Sequence, residues 1–472
     1  MVFSSITFLL YFLPVFLIVY HLVGKRHKNI VILVSSIFFY AWGAPKFVFV
    51  LLASTYLDFY LVKWMHEAKK EQKKKMLLVI SILLNVGLLA FFKYANFFVE
   101  NINLFFSGIG VAPLKWVEIA LPIGISFYTF QTLTYSIDVY RNIHAPLKKV
   151  SDYVLYIIMF PQLIAGPIVR FNEIADQITG RSETSFEKLS GFHRFCIGLA
   201  KKVLIANVLG ETADKLMNLP TTEMNASTAW LGITAFAFQI YFDFSGYSDM
   251  AIGLGKMMGF RFPENFNNPY ISKSITEFWR RWHITLGTWM RDYLYLPLGG
   301  NRVSPVRLYF NLWVVFLLSG LWHGAAWNFI LWGAFHGLFL VLERLFLLKF
   351  YKMSGSIISM LVTFVITLCG WVVFQIDELS KIKNYFTHMF GFVFSDLNQF
   401  VDTEFWFTFF VAVCFSFFVL LPNGEKLQQS FFSPKYTSTN CLVIFLFSLK
   451  LFSFSLGAIS ASAFNPFIYF RF

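Results

Sequence analysis

Nine histidines are the first residues to weigh, because a neutral imidazole can take up a proton near physiological pH. His21, His27, His66, His144 and His388 fall in or near polar connections, where solvation suffices to explain them. His193 opens an apolar run beside Arg194, which suits a helix cap or a headgroup contact. His323 differs. It stands inside Leu317-Leu-Ser-Gly-Leu-Trp-His-Gly-Ala-Ala-Trp-Asn-Phe-Ile-Leu-Trp332, an otherwise apolar stretch. Ionisable groups are costly at membrane depth, so each is a functional candidate by default. The flanking Gly320, Gly324, Ala325 and Ala326 permit close backbone approach and a chain reversal. Such a reversal points the imidazole into a cavity, where it can act as a general base. His336 follows in Ala334-Phe-His-Gly337. At about 100° per residue it and His323 face different sides of one straight helix, so they converge only if the helix breaks between them. For both, the competing reading is a hydrogen-bond partner between helices.

Two further polar groups stand out. Asp243 and Asp249 lie in Gln239-Ile-Tyr-Phe-Asp-Phe-Ser-Gly-Tyr-Ser-Asp-Met250, with Ser245, Tyr247 and Ser248 between them. That island can bind an ion or substrate, relay protons or cap a broken helix. It can equally be a structural network pairing with Arg280 or Arg281. The segment from Phe278 to Pro297 is dense in Trp, Tyr and Arg, as expected of a helix lying at the membrane edge. On one helix Arg280, His283, Gly287 and Arg291 share a face, with Asp292 next in sequence; Trp282, Leu286 and Trp289 lie elsewhere around it. Here the competing reading is a headgroup anchor. No zinc motif, phosphate loop or dinucleotide fingerprint is present. Ile123-Gly-Ile-Ser-Phe127 lacks the second glycine of a nucleophile elbow. The four cysteines are scattered, so neither a metal site nor a disulfide framework is expected.

The elements that must position these groups are set by composition. Of 472 residues 57% are hydrophobic, 20% aromatic and only 14% charged, where a soluble domain carries about 25% charged residues. The bilayer is therefore the solvent for most of the chain. The net charge of +13 reads as basic loops facing the cytoplasm and anionic lipid, not as nucleic-acid binding. The expected fold is all-α and polytopic, with about 11–12 transmembrane spans near 5–23, 30–43, 46–62, 77–98, 118–139, 189–211, 229–253, 306–323, 325–342, 357–376, 404–421 and 441–462. No Gly/Ser- or Pro-rich linker interrupts them, which predicts one membrane-embedded domain over 1–472. The N-terminus lacks a basic region and a cleavage site, so it reads as the first span. Lys63, Lys69, Lys70, Lys73, Lys74 and Lys75 crowd one connection, which is assigned to the cytoplasm; the connection 212–228 then faces outside. The run from Tyr156 to Arg170 holds Pro161, Gly166 and Pro167 between basic flanks. It reads as a re-entrant loop, and such backbone survives at depth only when buried in protein or lining a cavity.

Four passages carry a resemblance. They are Met1-Val-Phe-Ser-Ser with Phe12-Leu-Pro14; Leu121-Pro-Ile-Gly-Ile-Ser-Phe-Tyr-Thr-Phe-Gln131 with Asp138-Val-Tyr-Arg141; Phe278-Trp-Arg-Arg-Trp-His-Ile-Thr-Leu286 through Gly299-Gly-Asn-Arg302; and Leu321-Trp-His-Gly-Ala-Ala-Trp327. In this order, across about the first 340 residues, they resemble the membrane-bound O-acyltransferase superfamily, and within it the alginate O-acetyltransferase subfamily of bacterial polysaccharide acetylation. The resemblance implies an acyltransferase of the bacterial plasma membrane. His323 matches the principal catalytic histidine, His283 the second, and His336 a further recurring one. Acetyl-CoA is the implied donor at the cytoplasmic face, with no permanently bound cofactor or metal. The acceptor is extracytoplasmic, often reached through a partner of the SGNH hydrolase type that completes transfer to polysaccharide. Acetyl transfer from a thioester needs a base for the attacking hydroxyl and donors for the developing oxyanion. His323 suits the first role. His283, Trp322 or backbone amides near Gly324 suit the second. Arg280, Arg281, Arg291 and Arg302 suit the CoA phosphates, and acetyl then crosses without movement of CoA itself.

Four alternatives remain open at this level, one of them a purely structural membrane scaffold, which would not need His323 in so apolar a setting. D-Alanyl transfer to teichoic acid from a carrier protein uses the same superfamily chemistry. Long-chain acylation of a secreted protein is another acyl transfer. A transporter shares broken helices and buried charge, and inverted repeats would favour it; none is visible in the sequence.

Overall fold

The computed structural model describes residues 1–432, 438–462 and 464–466. It is 76% helical, with no strand among the described residues. The chain forms two compact units. The first comprises 1–183 and 258–262, the second 184–257 and 263 onward.

The first unit holds α1 (Leu13–Leu22), α2 (Lys28–Gly43), α3 (Phe47–Glu67), α4 (Glu71–Gly108), α5 (Ile125–Tyr140), α6 (Val150–Ile158), α7 (Phe160–Leu163) and α8 (Phe171–Thr179). The expected span 118–139 begins late, at Ile125. Gly124 has φ 76°, and a Cβ there would lie 2.7 Å from the carbonyl oxygen of Leu163, so the turn before the helix needs a glycine. The segment expected to re-enter is α6, a break at Met159, and the four-residue α7. Tyr153 through Val169 are buried almost throughout. Its carbonyls and amides are therefore covered by protein, as irregular backbone in lipid requires. Phe160 is ringed by Phe3, Phe8, Phe12, Phe16 and Phe39 at centroid distances of 5.1–6.3 Å.

The second unit holds α9 (Ser185–Ala200), α10 (Asn207–Met217), α11 (Ala226–Met257), α12 (Ile275–Arg281), α13 (Ile284–Met290), α14 (Pro305–His323), α15 (Trp327–Leu342), α16 (Leu348–Gln375), α17 (Leu379–Met389), α18 (Thr403–Phe417), α19 (Gly424–Phe432) and α20 (Ser438–Ala461). π-Helical turns join α9 to α10 over Lys201–Ala206, follow α13 over Arg291–Tyr295, and join α15 to α16 over Glu343–Leu347. α9 and α11 cross closely: a Cβ on Gly198 would lie 2.4 Å from the carbonyl oxygen of Gly246. Small residues at that crossing let backbones touch, which is how helices pack without a hydrophobic drive between them.

Among the described residues, six helical segments are long and apolar enough to cross a bilayer: Phe47–Glu67, Glu71–Gly108, Pro305–His323, Trp327–Gln375, Thr403–Leu420 and Thr439–Ala461. The fourth, 49 residues long, contains two of the expected spans, divided at Gly355 where φ is 82°.

Candidate active site

All three candidate histidines lie in the second unit, buried. α14 ends at His323, and Gly324 and Ala326 are extended before α15 starts at Trp327. Two glycines make this reversal tight. A Cβ on Gly320 would lie 2.2 Å from the carbonyl oxygen of Phe329, and one on Gly333 would lie 2.4 Å from that of Phe316. The break that the sequence required between His323 and His336 is thus present. Both imidazoles pack edge-on against one indole, Trp332, each at 5.0 Å between centroids. Phe374 closes on His323 at 5.4 Å. Trp279 and Phe335 close on His336 at 4.9 and 5.3 Å.

His283 reaches the same cluster through a different indole. Trp322 lies 5.9 Å from the His283 ring and 4.9 Å from that of His323. Histidine and tryptophan therefore alternate: His283, Trp322, His323, Trp332, His336. All five are buried. Burial among apolar rings pushes the His283 imidazole down to about 3, so it is neutral at physiological pH and can accept a proton or hydrogen bond.

The single interfacial helix expected over 278–297 is corrected by the structure. Trp282 is extended and His283 is left-handed, with φ 45° and ψ 53°, which splits the segment into α12 and α13. A left-handed conformation costs a non-glycine residue about 1–2 kcal/mol. The surroundings impose it: Ile284 N–H donates to the carbonyl of Asn265 at 2.9 Å, and Asn267 N–H to that of Arg281 at 2.9 Å. The one-face alignment of Arg280, His283, Gly287 and Arg291 consequently does not hold. α12 is fixed at its other end by Glu343, which accepts from Ile275 N–H, from Thr276 N–H at 3.0 Å and from the Thr276 hydroxyl at 2.6 Å. The turn that follows the His336 helix is thereby tied to the start of the helix that precedes His283.

Asp243 and Asp249 do not pair with Arg280 or Arg281. Asp249 binds Arg194 at 2.5 Å and Lys201 at 2.7 Å. Asp243 binds Lys202 at 3.0 Å. Both lysines sit in the π-helical turn after α9. Arg194 also holds Glu264 through two bonds of 3.0 and 2.6 Å. Its guanidinium thus bridges α11 to the segment whose next residue, Asn265, contacts His283 at 3.1 Å. Arg281 pairs with Glu277 and Arg291 with Asp292. Arg280 and Arg302 are exposed and have no ion pair among the described residues. His193, expected at a cap or headgroup, is instead buried, 2.9 Å from the Ser448 hydroxyl of α20.

Sequence reading missed Asn265, Glu264, Arg194 and Glu343 as parts of this site. The one signal for Asn265 was a cluster of amides, Asn265-Phe-Asn-Asn268, between apolar helices.

A profile of MBOAT, the membrane-bound O-acyltransferase family, matches residues 144–379, which include all three histidines. A probable alginate O-acetylase of Pseudomonas putida is 40% identical over the whole of both chains. One from Pseudomonas aeruginosa is 44% identical over 84% of this chain and 77% of its own length. A peptidoglycan O-acetyltransferase of Helicobacter pylori is 35% identical over 83% of this chain and 80% of its own. A teichoic acid D-alanyltransferase of Bacillus subtilis is similar more distantly, at 28% identity over 54% of this chain and 68% of its own. With its apolar helices and this match over most of its length, the chain belongs to the membrane-bound O-acyltransferase family and is a multi-pass acyltransferase of the bacterial plasma membrane.

Proposed function

We propose that the protein transfers acetyl from cytoplasmic acetyl-CoA to an acceptor hydroxyl on the outer side, for O-acetylation of a cell-surface or secreted polysaccharide. The observation that carries this reading is His323, buried at the reversal between α14 and α15 under Trp322, Trp332 and Phe374, in a chain that a probable alginate O-acetylase matches over the whole of both lengths. In the proposed reaction the hydroxyl oxygen bonds to the thioester carbon and the C–S bond breaks. His323 takes the hydroxyl proton and returns it to the departing thiolate. A dry site around it strengthens each polar contact as charge develops on the carbonyl oxygen. Trp322 and backbone amides near Gly324 are the candidate donors to that oxygen. Arg280 and Arg302, exposed and without an ion pair, are assigned to the CoA phosphates ahead of Arg281 and Arg291, which already hold carboxylates. Asp243, Asp249 and Asp292 are assigned to holding cations in place rather than to contact with substrate. An SGNH-type partner that passes acetyl to the polysaccharide belongs to the same reading.

D-Alanyl transfer from a carrier protein is the second reading, and the Bacillus subtilis relative favours it. The deciding test is thiol release from acetyl-CoA by purified protein in detergent, with and without His323→Ala. Release that falls by about a hundredfold in a folded variant supports the base role. Equal rates in the two would remove His323 from the chemistry. Absence of release from acetyl-CoA, with transfer from a D-alanyl carrier, would select the second reading.

A further inference from the structure

The protonation of His283 is written into its contacts. Its Nδ1 lies 3.1 Å from Oδ1 of Asn265. The same oxygen lies 3.2 Å from the backbone nitrogen of Thr285 and 2.9 Å from the Thr285 hydroxyl. A backbone N–H can only donate, so the end of the Asn265 amide turned to Thr285 must be the oxygen. An amide oxygen only accepts. The imidazole nitrogen sharing that oxygen must therefore carry the hydrogen. With one proton on a neutral ring, Nε2 is left with its lone pair. That Nε2 is buried and has no hydrogen-bond partner among the described residues, and neither has Nδ2 of Asn265. A buried acceptor and a buried donor side by side, both unmatched by the protein, are open to a ligand or an ordered water.

We infer that Asn265 is the positioning residue that holds His283 as its Nδ1–H tautomer, so that Nε2 faces the substrate as a hydrogen-bond acceptor and does not donate to the oxyanion, while the attacking hydroxyl's one proton goes to His323. This deepens the acyl-transfer reading and rests on it. It also divides labour among the candidates: donation to the developing oxyanion falls to Trp322 and the backbone near Gly324. Asn265 is well placed for the task. It is fully buried, its carbonyl accepts from Ile284 N–H, and its neighbour Glu264 is anchored by Arg194. The clamp sets backbone and side chain of His283 together, and fixing a tautomer by the far nitrogen's partner is the usual way an imidazole is oriented.

The test compares Asn265→Asp with Asn265→Leu in full-length protein in detergent, reading kcat and KM for thiol release. Aspartate keeps the acceptor and loses the N–H2. If the inferred tautomer is right, Asn265→Asp keeps at least about a third of wild-type kcat, and Asn265→Leu loses about tenfold or more with KM for the donor nearly unchanged. If His283 instead donates through Nε2, its Nδ1 needs a donor from residue 265; Asn265→Asp then falls as far as Asn265→Leu, and the inference is overturned. Should neither variant fold, 15N-histidine-labelled wild type decides: the neutral signal absent from His283→Gln must show protonated Nδ1, and protonated Nε2 overturns the assignment. The ratios are read with whichever acyl donor the wild type uses. A wild type inactive with acetyl-CoA but active with a D-alanyl carrier thus counts against the donor assignment alone.

Discussion

Each unit buries a polar cluster, and the two clusters are finished differently. In the first, Asp58 is wholly buried on α3. It accepts from Ser81 at 2.5 Å, Asn85 at 2.9 Å, Tyr153 at 2.5 Å and Ser136 at 3.4 Å. These partners come from α4, α5 and α6, so one carboxylate ties four helices together. In the second, the three histidines are enclosed mainly by aromatic rings. Nε2 of His283, Nδ1 of His336, Nε1 of Trp332 and Nδ2 of Asn265 meet no protein partner among the described residues. Both clusters are costly in lipid, where a buried polar group without a partner loses about 1–3 kcal/mol. A saturated cluster has repaid that cost within the fold. An unsaturated one keeps it outstanding, and under the proposed function substrate is what meets it. For these two clusters, saturation is the property that differs, since both are buried and both are polar.

The contrast is broken most directly by substitutions that act on one property alone. His323→Ala is expected to reduce thiol release by about a hundredfold or more while the thermal midpoint stays within a few degrees. Asp58→Leu should do the reverse. Leaving Ser81, Asn85, Ser136 and Tyr153 without their acceptor is expected to cost about 3–5 kcal/mol, read as loss of monodisperse protein or a large drop in midpoint, with specific activity of the folded fraction retained. A folded, inactive Asp58→Leu would show that saturation does not mark a structural role. His336→Phe keeps a ring of similar shape among Trp279, Trp332 and Phe335, so its stability should change by less than about 1.5 kcal/mol. A fall in kcat without a fall in midpoint places His336 in the reaction; no change in either leaves it as packing. The smallest effect concerns pH. His283 titrates near 6.5 when unfolded and is pushed down to about 3 in the fold. Its contribution to stability is thus fully present above pH 6.5 and is lost as pH falls toward 3, because the unfolded chain binds the proton first. Between pH 6.5 and 5 the midpoint should drop more in wild type than in His283→Gln. Parallel drops would mean that His283 is not held neutral.

The sequence made the frame legible because apolar runs of bilayer length leave few alternatives to helices. It also made His323 legible, as a polar residue between small ones in an apolar stretch. His336 followed once a break between the two was required, and Gly320 and Gly333 supply the close approach that makes the break a hairpin. What it did not disclose depends on contacts distant along the chain. Arg194 reaches Asp249 from 55 residues away, and Glu343 reaches Thr276 from 67. No local spacing encodes either pairing, so the nearer arginines at 280 and 281 drew the assignment. The helix over 278–297 was misread for the same reason. Its local propensity is helical, and the left-handed break at His283 is forced by Asn265 and Asn267 from outside the segment.

That backbone conformation has a practical consequence for anyone scanning position 283. Glycine and, next to it, asparagine adopt φ near 45° with little penalty, whereas alanine and most other residues do not. An alanine replacement therefore reports two losses at once, the ring and a now unsupported turn. Glycine and asparagine remove the imidazole while sparing the turn. The difference between alanine and glycine at this position, once glycine's greater unfolded-state entropy is set against it, reports the strain held in one pair of dihedral angles.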